Sequence, residues 1–164
     1  VGSSELYEWL DDNHGIAAYP LEYVNRPSVI AQIDNMVSIN SCVSVDLYGQ
    51  VAAESSGSRQ ISGTGGQLDF LIGKAFICMS SVYKDKKGIY HSRIRPQFDG
   101  DIITSPRSQV YFLATEYGAI NLEGRSTWER AEALISIAHP DFREELIQEA
   151  QKRKIWRQSN KVKL

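Results

Sequence analysis

The stretch of the sequence with the clearest chemical potential is residues 62–70, which contains Gly63, Gly65 and Gly66 between a predicted strand and a predicted helix. Glycine has no Cβ, so the backbone of such a loop approaches a ligand closely and points its N–H groups at it. Clustered amides of this kind bind a phosphate, or stabilise a carbonyl oxygen that becomes negative in a transition state. The stretch is therefore a candidate phosphate or oxyanion site.

Two common phosphate-binding motifs do not fit this glycine-rich loop. The dinucleotide fingerprint would need its third glycine where Leu68 stands, and the nucleotide P-loop would need a Gly-Lys-Ser/Thr sequence that does not follow. A tight turn, in which the glycines only supply positive φ angles, explains the spacing equally well. The spacing alone leaves both interpretations open.

Two other places invite a catalytic interpretation. Glu116 follows an apolar predicted strand and precedes Tyr117 and Gly118, a position where functional carboxylates lie in α/β sheets. A solvated residue at the rim of the sheet is the plainer alternative. His139 and Asp141 resemble a catalytic pair, but they stand at a junction between two predicted helices. There we expect Asp141 to cap the second helix and His139 to be packed and hydrogen-bonded.

The pattern of apolar residues predicts a single mixed α/β domain with a largely buried sheet. The run 75–81 is almost continuously apolar, which is typical of a strand covered on both faces. The predicted strands are residues 36–40, 43–47, 50–53, 75–81, 91–94, 102–104 and 109–115, and the segment 19–25 is predicted to be extended. The predicted helices are residues 3–13, 27–33, 67–72, a helix capped by Ser126 and Glu129 that reaches Ala138, and 141–152. Residues 1–164 form the domain, in which 152–164 are a basic C-terminal tail.

Composition excludes several classes of function. The 164 residues carry 18 Lys and Arg against 20 Asp and Glu, and this balance argues against nucleic-acid or anionic-membrane surfaces. No apolar run has the length of a membrane span. His14, His91 and His139 are scattered, so no metal site is expected. Cys42 and Cys78 are predicted to be buried free thiols, as in a cytoplasmic protein.

Similarity to a known family rests on an ordered set of stretches, namely residues 37–40, 45–51, 62–70, 115–118 and 137–143. Together they resemble the C-terminal domain of the acetyl-CoA hydrolase/transferase family. The similarity runs from about Asn25 to Trp156 and is greatest to butyryl-CoA:acetate and 4-hydroxybutyrate CoA-transferases. The resemblance therefore implies the fold of a CoA-transferase C-terminal domain.

The resemblance implies one half of a short-chain acyl-CoA:carboxylate CoA-transferase with a ping-pong mechanism. In the family, a glutamate attacks the acyl-CoA carbonyl to give an anhydride and then a glutamyl-CoA thioester, to which a second carboxylic acid adds. That glutamate precedes the matched segment, so we expect the chain to depend on its own N-terminal domain for it. The expected partners are acyl-CoA, as a substrate and not a tightly bound cofactor, a short carboxylic acid and a second copy in a homodimer. An acyl-CoA hydrolase on the same scaffold, or a CoA-binding or structural module without activity, remains an alternative.

The resemblance also implies roles for individual residues. Gly66 and Glu116 are implied to be catalytic, Gly66 through an amide that faces the thioester oxygen and Glu116 as an auxiliary carboxylate that tunes the nucleophile. The residues implied to bind CoA are Asn25, Val43, Gly63, Gly65, Gly66 and Lys86. Lys84 is close enough in sequence to be the true counterpart of Lys86, and either lysine has a solvated turn charge as its alternative.

The sequence departs from the family at one important place. Relatives carry several Gly- and Ser-rich residues between the positions of Gly73 and Lys74, which are adjacent here. A second, smaller gap is expected near residues 99–102. Either the first loop is shorter in this protein, or a segment is absent from the chain. The first gap adjoins the expected CoA channel, so it bears on the choice between Lys84 and Lys86.

Overall fold

The computed structural model describes residues 2–155 of the chain. The helices are α1 (Ser4–Leu10), α2 (Leu21–Val24), α3 (Pro27–Ile30), α4 (Thr127–Ser136) and α5 (Pro140–Lys152). The strands are β1 (Val37–Ser41), β2 (Ser44–Asp46), β3 (Val51–Ala52), β4 (Ser55–Ser56), β5 (Arg59–Gln60), β6 (Lys74–Cys78), β7 (Val82–Lys84), β8 (Tyr90–Ser92), β9 (Ile94–Arg95), β10 (Phe112–Thr115) and β11 (Gly118–Asn121). The predicted mixed α/β fold is confirmed.

The largest sheet has four strands in the order β1-β6-β10-β11. Strand β6 pairs in parallel with both β1 and β10, and β11 returns antiparallel to β10. On one face of this sheet Ala75, Ile77 and Leu113 are buried, in a cluster with Leu134 of α4 and Leu146 of α5. Helices α4 and α5 therefore cover this face, and the core lies between them and the sheet.

The other face of β6 is not covered in the same way. Ala75 and Ile77 are 1% and 0% exposed, but Phe76 and Cys78, which alternate with them, are only half-buried. The expectation that the run 75–81 is covered on both faces is therefore wrong within residues 2–155. The sequence interpretation was wrong because apolar residues on both faces of a strand show that both faces are suited to burial. They do not show that an element is present to cover each face.

A second sheet, in the order β3-β2-β9, extends the same core. Val45, Val51 and Ile94 are fully buried in the cluster that contains the large sheet. Asp46 ends β2 and is also buried, and its Oδ1 accepts hydrogen bonds from the backbone N–H groups that follow in the β2–β3 turn. Burial raises the pKa of Asp46 above its ordinary range, although these hydrogen bonds oppose the shift.

The two long helices begin with clear caps. The Glu129 carboxylate accepts from the backbone N–H and the hydroxyl of Ser126, which confirms the predicted cap of α4. At α5 the prediction is wrong, because His139 is the cap: its Nδ1 accepts from the N–H of Asp141 at 3.3 Å. Pro140 takes the first helical position, where its missing N–H costs nothing, and this leaves Asp141 inside the first turn with its side chain 81% exposed.

Two short predicted elements also differ from the structure. Residues 21–24 form a single turn of helix, α2, where an extended segment is expected, and the predicted helix 27–33 is helical only over Pro27–Ile30. Residues 102–104 form no strand; the chain there makes one bridge to β3, through Ser105 and Val51. Elements this short are decided by the tertiary contacts around them, which local pattern does not contain.

The first part of the chain is poorly packed compared with the rest. Helix α1 has no buried residue, and within 2–34 only Ile30 is buried. Trp9 and Leu21 are 60% and 65% exposed. At the other end of the chain, Arg153 pairs with Glu149, and residues 156–164 of the predicted basic tail lie outside the described part. No helix within 2–155 has the length and apolarity needed to cross a membrane.

Candidate active site

The glycine-rich loop presents unpaired backbone amides. Gly63 and Gly65 are exposed and Gly66 is half-buried, and the N–H groups of residues 63–68 donate to no acceptor within 2–155. Gly65 has φ +58°, which favours glycine, but neither Gly63 nor Gly66 has a positive φ. A tight turn therefore accounts for one of the glycines only. The loop is suited to receive an anionic oxygen, as the sequence predicts.

Gly66 is favoured by a neighbouring side chain and not by its own backbone angle. The amide of Asn25 lies directly against it, so a Cβ at position 66 would collide with Asn25 Nδ2. The same Cβ would lie 3.0 Å from Cε2 of Phe70, tighter than ordinary van der Waals contact. The structure thus brings together Asn25 and Gly66, residues that are far apart in sequence and that were both predicted to belong to the site.

The segment after Gly66 is a single helical turn and not the predicted helix 67–72. The N–H groups of Asp69 and Phe70 donate to the Gly66 carbonyl oxygen at 3.0 and 3.3 Å. Ser38 of β1 then donates its hydroxyl to the carbonyl oxygen of Phe70 at 2.6 Å, and Gln67 Nε2 donates to the Ser105 hydroxyl at 3.1 Å. The loop is therefore held on the scaffold by contacts on both sides.

A surface cleft of about 400 Å³ adjoins this loop. Its polar side chains are Glu22, Asn25, Arg26 and Asp69. The complete lining consists of Leu21, Glu22, Asn25, Arg26, Pro27 and Asp69. The cleft places a carboxamide and a guanidinium beside two carboxylates, a combination that suits a ligand with several polar groups.

Glu116 lies where β10 ends, and its carboxylate is held by the residue that precedes β7. The N–H of Ser81 donates to Glu116 Oε2 at 2.7 Å, and the Ser81 hydroxyl donates to Oε1 at 2.6 Å. Burial raises the pKa of Glu116, but the hydrogen bonds from Ser81 outweigh it, with a smaller contribution from the charge of His139, so the pKa lies below its ordinary range. Glu116 is thus an ionised carboxylate that Ser81 holds in place, although it is exposed at the rim of the sheet.

We predict that Ser81→Ala raises the pKa of Glu116 toward its ordinary range, because the substitution removes the hydroxyl donor and leaves only the amide. A depressed carboxyl pKa stabilises the fold above the ordinary pKa, and that contribution disappears as the pH falls through the lowered pKa. Ser81→Ala should therefore flatten the pH dependence of unfolding in this acidic window. Carbon-detected NMR titration of the Glu116 carboxyl measures the shift directly.

Ser80→Ala is the matched control, because the Ser80 hydroxyl donates to the carbonyl oxygen of Val82 and does not contact Glu116. An unchanged Glu116 titration in Ser81→Ala would show that Ser81 does not set its ionisation.

The predicted site residues do not form one cluster within the described part of the chain. The glycine-rich loop leads into the amino end of β6, whereas Glu116 leaves the carboxyl end of β10, and these strands are parallel neighbours. No side-chain hydrogen bond within 2–155 joins the loop to Glu116. Asn25 and Gly66 are in contact, and Glu116 lies with Ser81.

Val43, a predicted CoA-binding residue, lines a separate cavity of about 590 Å³. Its carbonyl oxygen accepts from Arg93 Nη1 at 2.8 Å, and the Arg93 guanidinium lies 5.4 Å from the centre of the Tyr83 ring. Tyr83 in turn stacks on His91, with 5.1 Å between ring centres. The cavity therefore joins aromatic faces to two arginines, Arg93 and Arg95.

Lys86 lies at the exposed tip of the β7–β8 hairpin. Asp85 orders this tip, since its Oδ1 accepts from the N–H groups of Lys87 and Ile89 at 2.8 and 2.9 Å. The Nζ atom of Lys84 lies 5.4 Å from the centre of the Tyr90 ring, so the Lys84 ammonium already interacts with an aromatic face. Lys86 thus keeps the more open position, and its assignment to CoA stays a prediction.

The cysteines and histidines give no sign of a further catalytic or metal centre. Cys42 and Cys78 are free, as predicted, and burial raises the pKa of the Cys42 thiol to about 12, which leaves it protonated and unreactive. Within 2–155, no group of three or more His, Cys, Asp and Glu side chains is placed to hold a metal ion. His139 packs edge-on against Tyr117, with 5.5 Å between ring centres, as expected of a structural residue.

Sequence reasoning missed Ser81 and Arg93. Ser81 ends the apolar run that contains β6, and residues at the carboxyl ends of parallel neighbouring strands lie at one edge of the sheet. This rule, applied to Glu116 and the residues after Cys78, could have found Ser81. Arg93 has no comparable signal, because its contact with Val43 joins residues far apart in sequence.

Comparison with known proteins agrees with the fold. Residues 2–150 match the family model described as the acetyl-CoA hydrolase/transferase C-terminal domain. The chain belongs to this family.

Among the curated relatives, the chain is 56% identical to a probable butyrate:acetyl-CoA coenzyme A-transferase of Syntrophomonas wolfei, over 99% of the chain and 38% of that protein. It is 51% identical to the butyryl-CoA:acetate CoA-transferase of Anaerostipes caccae, over 98% of the chain and 38% of that protein. The crystal structure of RipA from Yersinia pestis superposes with a TM-score of 0.83 at 43% identity, over 94% of this chain and 36% of that one. The chain therefore spans little more than a third of these relatives, as their C-terminal portion.

Proposed function

We propose that this chain is the CoA-binding half of a short-chain acyl-CoA:carboxylate CoA-transferase, with butyryl-CoA and acetate as the substrate pair. The observation that carries the proposal is the contact of Gly66 with Asn25 beneath a loop whose amides are free. Relatives whose names specify butyrate, butyryl-CoA and acetate share more than half of its residues over nearly the whole chain.

In the proposed mechanism, the loop stabilises negative charge on the acyl oxygen. A carboxylate attacks the thioester carbonyl, the oxygen becomes negative, and the carbonyl then re-forms as the CoA thiolate leaves, giving an anhydride. The Gly66 N–H donates to the oxygen while it is charged, and one such donor contributes about 3 kcal/mol to the transition state. Asn25 packs against Gly66 and so keeps the loop in position.

The remaining steps return the energy of the anhydride to a thioester. The CoA thiolate attacks the carbonyl of the enzyme glutamate, and the first carboxylic acid leaves as its carboxylate. A second carboxylate then attacks this glutamyl thioester, and the CoA thiolate leaves to give a new anhydride. The thiolate attacks the acyl carbonyl of this anhydride, which forms the new acyl-CoA and releases the enzyme glutamate. Glu116, which Ser81 holds ionised, is proposed to be the auxiliary carboxylate that tunes the attacking glutamate, and not a group beside Gly66.

The attacking glutamate comes from the part of the relatives that this chain does not span. The side chain of this glutamate must reach the thioester beside Gly66. Gly63 and Gly65 are exposed, so the loop is accessible to it from the solvent side. Val43 and Lys86 are proposed to contact CoA away from the thioester, Val43 from the arginine-lined cavity and Lys86 from the hairpin tip. Lys86 would pair with a CoA phosphate as a point charge.

The test is a chimera in which this chain replaces the matching C-terminal portion of the Syntrophomonas wolfei relative. We expect the chimera to transfer CoA from butyryl-CoA to acetate, as followed by chromatography of acetyl-CoA and butyrate. Glu116→Gln, which keeps the size but removes the charge, should lower this activity in the same chimera.

Two controls separate the proposal from its alternatives. Release of free CoA without added acetate, at the same rate as with it, would identify a hydrolase. A folded chimera that neither exchanges nor hydrolyses butyryl-CoA would contradict the proposal.

A further inference from the structure

The face of the large sheet that lies opposite α4 and α5 is largely apolar and partly open within residues 2–155, with the exposed Lys74 beside Val37 as its charged group. Ile39 of β1, Phe76 of β6 and Phe112 of β10 are paired in register, so their side chains lie in one row on this face. Ile39 is 73% exposed, and Val37, two residues earlier on the same face, is 51% exposed. We call this row, Val37, Ile39, Phe76 and Phe112, the open face.

The open face has the side chains of an interior and not of a solvated surface. The rings of Phe76 and Phe112 are in contact, with 5.0 Å between their centres and their planes tilted by 30°, and they form an aromatic pair beside Ile39. On the opposite face of the same strands, Ala75, Ile77 and Leu113 are almost completely buried. Both faces of β6 are thus suited to packing, but only one is packed.

Parallel strands make this asymmetry unusual. Strands β1, β6 and β10 all run in the same direction, and parallel sheets occur with both faces covered, since their crossover connections place helices on each side. Neighbouring exposed apolar side chains, here Val37 and Ile39 of β1, are typical of a surface that binds another polypeptide.

We propose that the open face is the docking surface for the polypeptide that precedes the matched region in full-length family members. The proposal rests on the proposed function, because that polypeptide is also the one that supplies the attacking carboxylate. The relatives at hand are long enough for this occupant: the chain covers only 38% of the Syntrophomonas wolfei protein.

The choice of this occupant over a second copy of the chain follows from the kind of surface. The open face combines the central strands β6 and β10 with the edge strand β1, and layers of one domain are normally supplied by one polypeptide. Two copies meeting through such faces would stack sheet on sheet, an arrangement typical of antiparallel β-sandwiches.

The experiment compares accessibility at the open face in the chain alone and in the chimera described above. Ile39→Cys is labelled with a maleimide, and peptide mass mapping separates position 39 from Cys42 and Cys78. We expect labelling at position 39 to be at least about tenfold slower in the chimera than in the chain alone, because docking must open before the thiol can react. Ile89→Cys is the matched control: Ile89 is 54% exposed at the tip of the β7–β8 hairpin, and its labelling rate should be the same in both proteins.

Each other outcome contradicts the proposal in a different way. Equal rates at position 39 in the two proteins would show that the preceding polypeptide does not cover the face. Slow labelling in the chain alone that becomes faster on dilution would assign the face to a second copy. Slow labelling in the chain alone at all concentrations would show that the chain covers its own sheet.

The labelling result is independent of catalysis. Protection at position 39 in an inactive chimera would support docking and contradict the proposed function. An active chimera without protection would do the reverse. Ile39→Asp provides a second reading: it should leave the unfolding of the chain alone unchanged but lower the melting temperature of the chimera, and equal melting of the two chimeras would count against docking.

Discussion

Replacing Gly66 with valine in the active chimera is expected to lower kcat by about 10²- to 10³-fold, the effect of losing one oxyanion donor. A Cβ at this position would overlap the Asn25 amide and press on Phe70, and the branched valine side chain enlarges this overlap, so Asn25, Phe70 or the loop must shift and the N–H loses its supported position. Because the oxygen becomes negative only in the transition state, the loss should appear in kcat and leave KM for butyryl-CoA much less affected. Steady-state kinetics of CoA exchange measures both.

The matched control for Gly66→Val is Gly15→Ala. Gly15 lies before α2, it is exposed, and a Cβ there would meet only Asn13 Oδ1, at 3.2 Å. Circular dichroism and thermal melting must show that the Gly66→Val chimera is folded. Full activity in a folded Gly66→Val chimera would remove the glycine-rich loop from the reaction.

Replacing Leu134 with alanine is expected to lower the free energy of unfolding of the chain by about 2–5 kcal/mol, the range for deleting a large buried aliphatic side chain. Leu134 is 0% exposed on α4 and belongs to the cluster that joins the helices to the large sheet. Alanine keeps the helix propensity, so the change reports packing and not helix formation. Urea denaturation followed by circular dichroism measures it.

Leu21→Ala is the comparison for Leu134→Ala, because Leu21 is the same residue type but 65% exposed. Its effect should stay within about 0.5 kcal/mol, as for other surface positions. Similar losses in the two variants would mean that the core does not lie between α4 and the sheet.

Much of the fold was predictable where local signals are strong. The cap formed by Ser126 and Glu129 requires only residues three apart, and it lies where expected. The centres of β1, β6 and β10 also lie within predicted strands, because their apolar runs are long enough to define a period. Elements of two to four residues, such as α2, were not predictable, since so short a pattern carries little information.

The candidate site divides in a similar way. Clustered glycines at residues 63–66 and a carboxylate after an apolar strand are local signals, and both led to positions with distinctive geometry. The reason for Gly66 was not accessible, because the side chain that excludes a Cβ comes from Asn25. The ionisation of Glu116 was not accessible from the sequence either, because it depends on hydrogen bonds from Ser81 at the end of a neighbouring strand.

Residue order alone was enough to indicate the family, the mixed α/β class and a glycine-rich loop that is either an anion site or a tight turn, because these depend on type and spacing along the chain. Only the folded chain decided which distant groups meet: the carboxamide against Gly66, the hydroxyl on Glu116, and helices over one face of β6 but not the other. Periodicity records which surfaces are fit to be buried, whereas burial itself depends on a partner surface that no local pattern contains.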